Sequence, residues 1–117
     1  MVTQDKVKQL AKEIKNSQKI LTALGDEVRQ HLILVMMQSG KCKGMRVGEI
    51  STQTNLSRPA VSHHLKILKD AEIVKMRREG TKNYYYFDAV ESFDTLIQML
   101  THAKEIMQIL PDRRGEK

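Results

Sequence analysis

The stretch that decides the fold is LSRPAVSHHLKILKDA, residues 56–71. Ser57 is a typical helix N-cap, and Pro59 falls in the first helical turn, where a missing N–H costs little. At about 100° per residue, one continuous arc of this helix is apolar apart from His64, and the opposite arc is polar and basic. The apolar arc must be buried, with His64 in a structural role. The polar arc then suits a helix that enters the major groove of DNA.

The flanking sequence predicts a helix-turn-helix followed by a hairpin. Residues 47–71 comprise a short helix, a tight turn at Asn55, which tolerates the left-handed conformation, and the longer amphipathic helix. Residues 72–88 (the wing) contain two extended runs around Gly80, the first of them Glu72–Arg78. This order of elements is typical of a winged DNA-binding domain.

The run LSRPAVSHHLKILKDAEIVKMRREGTKNYYYF resembles the winged helix of the ArsR/SmtB family of small dimeric bacterial repressors. That family shows a Ser-x-His-Leu-(Lys/Arg)-x-Leu core, then a small residue, an Ile/Leu-Val strand, and an Arg-x-x-Gly wing ending in Tyr-Tyr. Leu24-Gly25-Asp26 with Arg29 also resembles the family's entry to its second helix, and the likeness runs from about Leu21 to Glu105.

The resemblance implies a mainly α fold with a small β-hairpin, in the order ααααββα, that dimerises through its first and last helices. It implies a homodimeric, sequence-specific transcriptional regulator, a repressor, that binds an inverted-repeat operator. The helix at 57–71 would lie in the major groove, and the wing segment 77–82 would lie on the backbone or in the minor groove.

Composition agrees with a polyanionic partner. The 117 residues suffice for one domain, residues 1–117, and carry a formal net charge of +6, with 20 Lys and Arg against 14 Asp and Glu. Residues 56–83 hold seven of these cations and three acids, so most of the excess lies in the helix-turn-helix and wing. No apolar stretch is long enough to span a membrane and no signal peptide opens the chain, while a single cysteine, Cys42, suits a reducing cytoplasm. A redox role for Cys42 stays open.

Eight polar residues are candidates for DNA contact. On the polar arc of the recognition helix Arg and Lys can bind guanine or phosphate, and His and Ser can reach a base edge. In the wing, the alternative is a solvated, charged hairpin edge that prevents aggregation. The candidates are Arg58, Ser62, His63, Lys66, Lys69 at the edge of the arc, Arg77, Arg78 and Lys82.

Apolar stripes on the first and last helices are candidates for the dimer interface. Residues 4–24 and 89–110 each carry apolar side chains at alternating steps of three and four, whereas residues 26–38 are apolar nearly all round and predict a buried central helix. The alternative for the first stripe is a helix that lies on its own core. The interface candidates are Val7, Leu10, Ile14, Leu21, Phe93, Leu96, Leu100, Ala103 and Met107.

The two metal sites that recur in the family are incomplete in this sequence. Where the family has Cys-Val-Cys-Asp, this chain has Arg46-Val47-Gly48-Glu49, which offers no thiolate. On the last helix, His102-x-x-Glu105 fits half of the second site, but Ala89-Val90-Glu91 replaces the other half, and zinc needs four ligands. We therefore expect no cofactor, with zinc at Glu91, His102 and Glu105 as the alternative, and the inducer is open.

The sequence leaves two other classes of function to consider. A winged helix whose basic face meets an acidic protein is the second reading. An enzyme is the third, but no Ser/His/Asp set, phosphate-binding glycine loop or paired catalytic carboxylates stand out, so we expect no catalysis.

Overall fold

A computed structural model describes residues 2–40 and 44–110, so Cys42 lies outside the described residues. The elements are α1 (Val2–Asn16), α2 (Gln18–Leu24), α3 (Glu27–Gln38), α4 (Val47–Thr54), α5 (Arg58–Asp70), β1 (Val74–Glu79), β2 (Lys82–Phe87) and α6 (Val90–Ile109). The predicted fold class, mainly helical with a small hairpin behind a helix-turn-helix, is confirmed.

The prediction of one continuous first helix is wrong, because the chain breaks at Ser17 into α1 and α2. The Ser17 hydroxyl donates to the backbone carbonyl of Glu13 at 2.8 Å, a side-chain bond that competes with the helical ladder and bends helices. The Ser17 side chain is fully buried. Beyond the break α2 packs against α3 and α5, whereas α1 packs along α6.

The helix-turn-helix has the local signals that the sequence predicts. Asn55 ends α4 in the left-handed conformation, with φ 60°. Ser57 is the N-cap of α5, and its hydroxyl accepts a hydrogen bond from the Ala60 N–H at 3.2 Å. Leu56, between them, packs against the core. These contacts fix the angle between α4 and α5.

The predicted extended run begins two residues too early, because residues Glu72 and Ile73 end α5 instead of starting the strand. Glu72 has a φ of 58°, and the N–H groups of Glu72 and Ile73 donate to the carbonyls of Lys69 and Leu68 at 2.9 Å each. This pair of bonds is the Schellman motif, which satisfies carbonyls at a helix end. Because glycine is usual at the left-handed position, the glutamate at 72 did not indicate in the sequence that the helix ends there.

The wing is a two-stranded antiparallel hairpin with its turn at Gly80, as predicted. β1 and β2 pair from Val74 opposite Phe87 to Glu79 opposite Lys82. Gly80 has a φ of 62°, which favours glycine. Met45 adds a single bridge to the hairpin through Tyr85, with backbone hydrogen bonds of 2.7 and 2.8 Å.

The core lies between α2, α3, α4, α5 and the base of the hairpin. Its fully buried members include Leu32, Ile50 and Leu65. The prediction that α3 is buried on all sides is wrong, because Leu34 is 53% and Met37 56% exposed. The helix packs against α2, α4 and β2, which leaves its outer side uncovered in one chain.

Ser92 ties α6 to the end of α5, and its removal should destabilise the fold. Its buried hydroxyl lies 2.9 Å from the carbonyls of both Ala71 and Glu72. Ser92→Ala leaves these acceptors unpaired and should lower the free energy of unfolding by roughly 1–3 kcal/mol, measured by urea denaturation. The control is Thr95→Ala, which removes an exposed bond to Glu91 on the same helix and should cost within about 0.5 kcal/mol. Equal stability of the two variants would contradict the role of Ser92.

Candidate nucleic-acid interface

The outer face of α5 carries the polar residues that the sequence places there. Val61, Leu65 and Leu68 are buried in the core, so the opposite side of the helix faces outward. The exposed side chains along it are Arg58, Ser62, His63, Lys66 and Lys69. The first four residues span the N-terminal two thirds of the helix, and Lys69 lies in its last turn, about 16 Å further along the axis than Arg58.

Lys66 is free to leave its only described partner. Its Nζ lies 3.4 Å from Asp70 Oδ2, in a pair whose side chains are 76% and 54% exposed. An ion pair this exposed contributes little to stability, so a phosphate or a base edge can replace the Asp70 carboxylate at small cost.

The two adjacent histidines have different environments, as predicted. His63 is exposed, and its ring meets the edge of the His64 ring at a centroid distance of 5.4 Å. His64 points inward and its Nδ1 lies 3.3 Å from Nη1 of Arg29. The sequence predicts a structural role for His64, and its partner in the structure is a side chain of α3. Because a guanidinium only donates, Nδ1 of His64 is the acceptor and the ring is neutral.

Arg29 holds the recognition helix against the corner between α2 and α3. Its guanidinium is buried, and donates from Nε to the carbonyl of Ala23 at 2.9 Å and from Nη2 to that of Thr22 at 3.0 Å. Asp26 is the N-cap of α3 and accepts from the Arg29 N–H at 3.0 Å, a bond that lowers the pKa of Asp26. These contacts use carbonyls in the last turn of α2, where few partners are available within the helix, although the Thr22 carbonyl also accepts from the Gly25 N–H at 3.3 Å.

Two of the three candidate cations of the wing, Arg77 and Arg78, have local partners. Arg77 forms an ion pair with Glu79, with Nε 2.8 Å from Oε2, and its guanidinium lies over the Tyr84 ring, 5.1 Å from the centroid. Arg78 donates from Nε to the carbonyl of Gly80 at 3.0 Å. Lys82 is exposed at the tip, opposite Glu79 in the ladder. All of these contacts are exposed or partly exposed, so DNA could replace them.

Arg46 and the placement of Arg58 were not predicted from the sequence. The guanidinium of Arg58, the first residue of α5, lies against Gly48 of α4. Arg46, the N-cap of α4, lines the same cleft as Arg58 and the tip of the wing. Gly48 is the sequence feature that permits this contact, but the contact becomes apparent only when α4 and α5 are packed together.

The metal candidates do not come together within one chain. His102 is engaged by Glu13 of α1, with Nδ1 2.7 Å from Oε2. Glu105 lies with His102 beside a cleft of about 220 Å³. Glu91 precedes His102 by eleven residues on α6, which places it about 16 Å from His102 along the helix axis. Within residues 2–40 and 44–110, no three His, Cys, Asp or Glu side chains are grouped so that they could hold a metal ion. These residues do not fit a zinc site in one chain.

The apolar residues proposed for the dimer interface, on the first and last helices, divide into three groups. Phe93 and Leu96 pack against the core, Phe93 with its ring 6.0 Å from that of Phe87. Leu10 and Ala103 are half-buried between α1 and the C-terminal half of α6. The remaining candidates face outward in the single chain, namely Val7, Ile14, Leu21, Leu100 and Met107. Val90 and Ile97 of α6 are exposed as well.

Acidification should destabilise the fold through His64. Burial lowers the pKa of His64 below its ordinary value of 6.5, and Arg29 and His63 lower it further, while Asp26 opposes them. The unfolded chain therefore takes up this proton at a higher pH than the folded chain does, and stability falls as the pH drops below about 6.5. The thermal midpoint should fall less between pH 7.5 and 5.5 in His64→Asn, whose amide oxygen can accept from Arg29, than in the wild type.

An exposed histidine of α3, His31, supplies the control for this prediction. His31→Asn should keep the pH dependence of the wild-type midpoint. An acid-induced fall that is as large in His64→Asn as in the wild type would show that His64 does not carry the effect.

None of the helices within the described part of the chain combines the length and apolar character that a bilayer-spanning segment needs.

Comparison with known proteins agrees with this geometry. Residues 27–76 match the family model described as bacterial regulatory protein, arsR family. The chain is 39% identical over 83 residues to the uncharacterized HTH-type transcriptional regulator MJ1325 of Methanocaldococcus jannaschii, covering 69% of this chain and 90% of that protein. It is 35% identical over 81 residues to the transcriptional repressor SdpR of Bacillus subtilis, covering 69% and 86%.

The fold also matches solved structures. The solution structure of the homodimeric winged helix-turn-helix DNA-binding domain of Mb0332 from Mycobacterium bovis superposes with a TM-score of 0.59, at 20% identity, over 93% of this chain and 95% of that one. The family match covers α3, the helix-turn-helix and the first residues of the wing, and the relatives and solved structures agree with it. The chain therefore belongs to the ArsR family of transcriptional regulators and carries that family's DNA-binding winged helix.

Proposed function

We propose that the protein is a homodimeric, sequence-specific repressor that binds an inverted-repeat operator and performs no catalysis. The whole chain acts as one DNA-binding domain, with α5 in the major groove and the wing on the backbone or in the minor groove. The observation that carries this proposal is the pairing of an exposed polar face on α5 with an uncovered apolar face on α1, α2 and α6. Its partners are therefore duplex DNA and a second copy of the chain.

The apolar face supports a dimer because one chain cannot cover it. Leu100 is 54% and Met107 72% exposed on α6, and Val7 is 47% exposed on α1, which packs beside it. Soluble monomers rarely expose large apolar patches. The molecule measures 61 Å along its longest axis but only 30 and 23 Å across, so it is elongated, as expected if the α1–α6 pair projects from the core.

A two-fold axis through this face would give the operator its symmetry. Helix-turn-helix dimers place their recognition helices about 34 Å apart, one turn of B-DNA, or a multiple of it. An inverted repeat with matching half-site spacing follows from that arrangement. The homodimeric state of Mb0332 and the repressor activity named for SdpR are the properties of relatives that this proposal extends to the present chain.

Regulation by zinc through the last helix is the alternative, and the geometry disfavours it. His102 would have to leave the Glu13 carboxylate, to which it is bonded at 2.7 Å, before it could bind a metal. The Glu91 segment of the same chain is too far from His102 to supply the remaining zinc ligands. These ligands would have to come from another part of the protein.

Replacing Lys66 by Ala should weaken operator binding without changing the fold. Lys66 is on the face of α5 that the proposal places in the major groove, and a base contact there is worth about 1–3 kcal/mol of discrimination. Titration of operator DNA, selected from random duplexes by the wild-type protein, should show a loss of roughly 5- to 150-fold in affinity. Lys12→Ala on α1, where the lysine is equally exposed, is the matched control. Unchanged affinity in Lys66→Ala would mean that this face does not read the operator.

A carboxylate at Leu100 should break the proposed dimer. Leu100→Asp would bury an unpaired charge in the interface, a change that costs several kcal/mol. Sedimentation at micromolar concentration should show a dimer for the wild type and a 13.5 kDa monomer for Leu100→Asp, with operator binding lost. Gln98→Asp, on the opposite side of α6, should remain dimeric. A wild-type chain that sediments as a monomer would refute the dimer and the palindromic operator together.

A further inference from the structure

A cleft of about 500 Å³ lies between the start of α4, the start of α5 and the tip of the wing. Its walls come from three elements that a winged helix brings to DNA. The residues that matter for the argument are Arg46, Gly48 and Glu49 of the α4 end, Arg58 of α5, and Thr81 and Asn83 of the hairpin.

Gly48 allows the Arg58 guanidinium to lie against α4. A Cβ at position 48 would come within 2.9 Å of Nη2 and 3.3 Å of Cζ of Arg58. The guanidinium therefore occupies the space that any other residue at 48 would fill. This placement directs Arg58 into the cleft, across the top of α4, and away from the axis of the recognition helix.

The cleft has an excess of positive charge, because two arginines and one glutamate line it. Neither the Arg46 nor the Arg58 guanidinium has a hydrogen bond or an ion pair to another residue within 2–40 and 44–110. The carboxylate in the wall, Glu49, accepts a hydrogen bond from the backbone N–H of Arg46 at 2.9 Å. The N-terminus of α4 adds a partial positive charge at the same place.

The guanidinium groups of Arg46 and Arg58 both line the cleft. A group with several acceptor oxygens and a negative charge matches two guanidinium groups.

We propose that this cleft binds one phosphate of the DNA backbone, held by Arg46 from α4 and Arg58 from α5 beside the wing. Planar guanidinium groups suit phosphate oxygens because they donate two parallel hydrogen bonds. Arg58 is then a positioning contact that sets the register of α5 on the duplex, and base reading is left to Ser62, His63 and Lys66. This inference rests on the DNA-binding function proposed above.

The test compares three variants in the cleft by their salt dependence. Affinities of the wild type, Arg46→Ala, Arg58→Ala and Gly48→Ala are measured against salt concentration for the selected operator and for an unrelated duplex. Each arginine variant should weaken both duplexes by the same factor and reduce the slope of log affinity against log salt by about 0.9. The ratio of operator to unrelated affinity should stay unchanged, and Lys12→Ala should match the wild type.

The Gly48→Ala variant keeps Arg58 but changes its position, so it tests whether that position matters for DNA binding. The new methyl group would displace the flexible end of Arg58, while alanine favours the helix more than glycine does. The variant should therefore bind both duplexes more weakly while its thermal midpoint stays equal or rises. Full-strength binding in Gly48→Ala would mean that the observed placement of Arg58 does not matter for DNA.

Other outcomes overturn the inference in distinguishable ways. A fall in the operator-to-unrelated ratio in Arg58→Ala would make Arg58 a base reader, and unchanged salt slopes in both arginine variants would remove the phosphate contact. Calorimetric binding of inorganic phosphate to the wild type, lost in Arg58→Ala, together with unchanged salt slopes for DNA, would assign the cleft to a free anion instead. A wild-type chain that binds no duplex would refute the proposed function itself.

Discussion

The buried guanidinium of Arg29 is the interaction on which the position of the recognition helix depends. It joins the last carbonyls of α2, at Thr22 and Ala23, to His64 on the inner side of α5. A buried charge is tolerated only where hydrogen bonds replace its hydration, and here three donors have partners. The contact requires a neutral His64, so the same atoms that fix α5 also make its position sensitive to protonation. The position of the outer face of α5 is thus fixed by contacts on its inner side.

The break at Ser17 gives the two halves of the N-terminal segment different partners. α1 runs along α6, with Glu13 bonded to His102, whereas α2 turns towards α3 and α5. The face proposed to meet a second subunit and the helix proposed to meet DNA are thus joined through α2 and Arg29. A relative movement of two subunits would reach the recognition helices along this route. This connection consists of direct contacts between helices. Experiment can measure the coupling free energy between the two faces.

Local chemistry explains what the sequence could predict. The N-cap at Ser57, the left-handed Asn55 and the glycine of the hairpin turn each act within a few residues, and each is found where the pattern placed it. The inward position of His64 followed from helical periodicity alone. The class of fold and the outward face of the recognition helix therefore required no knowledge of tertiary contacts.

The features that the sequence did not predict have two causes. Some depend on contacts between residues that are distant in the sequence, and others on a residue type that is uncommon in the conformation it adopts. Glu72 takes a left-handed conformation that glycine normally fills, and Ser17 lies in a stripe whose spacing favours an unbroken helix. The partner of His64 lies 35 positions earlier in the chain, at Arg29. The packing of Arg58 on Gly48 likewise appears only when α4 and α5 meet.

The distance between two recognition helices in solution tests the central claim most directly. Spin labels on Lys69→Cys, in a Cys42→Ser background, would report this separation by pulsed dipolar spectroscopy on the DNA-free protein. The account predicts one narrow distribution, consistent with helices about 34 Å apart or a multiple of that spacing. The absence of dipolar coupling between labels, or a broad distribution with no preferred distance, would contradict a dimer that presents two fixed readers to an inverted repeat.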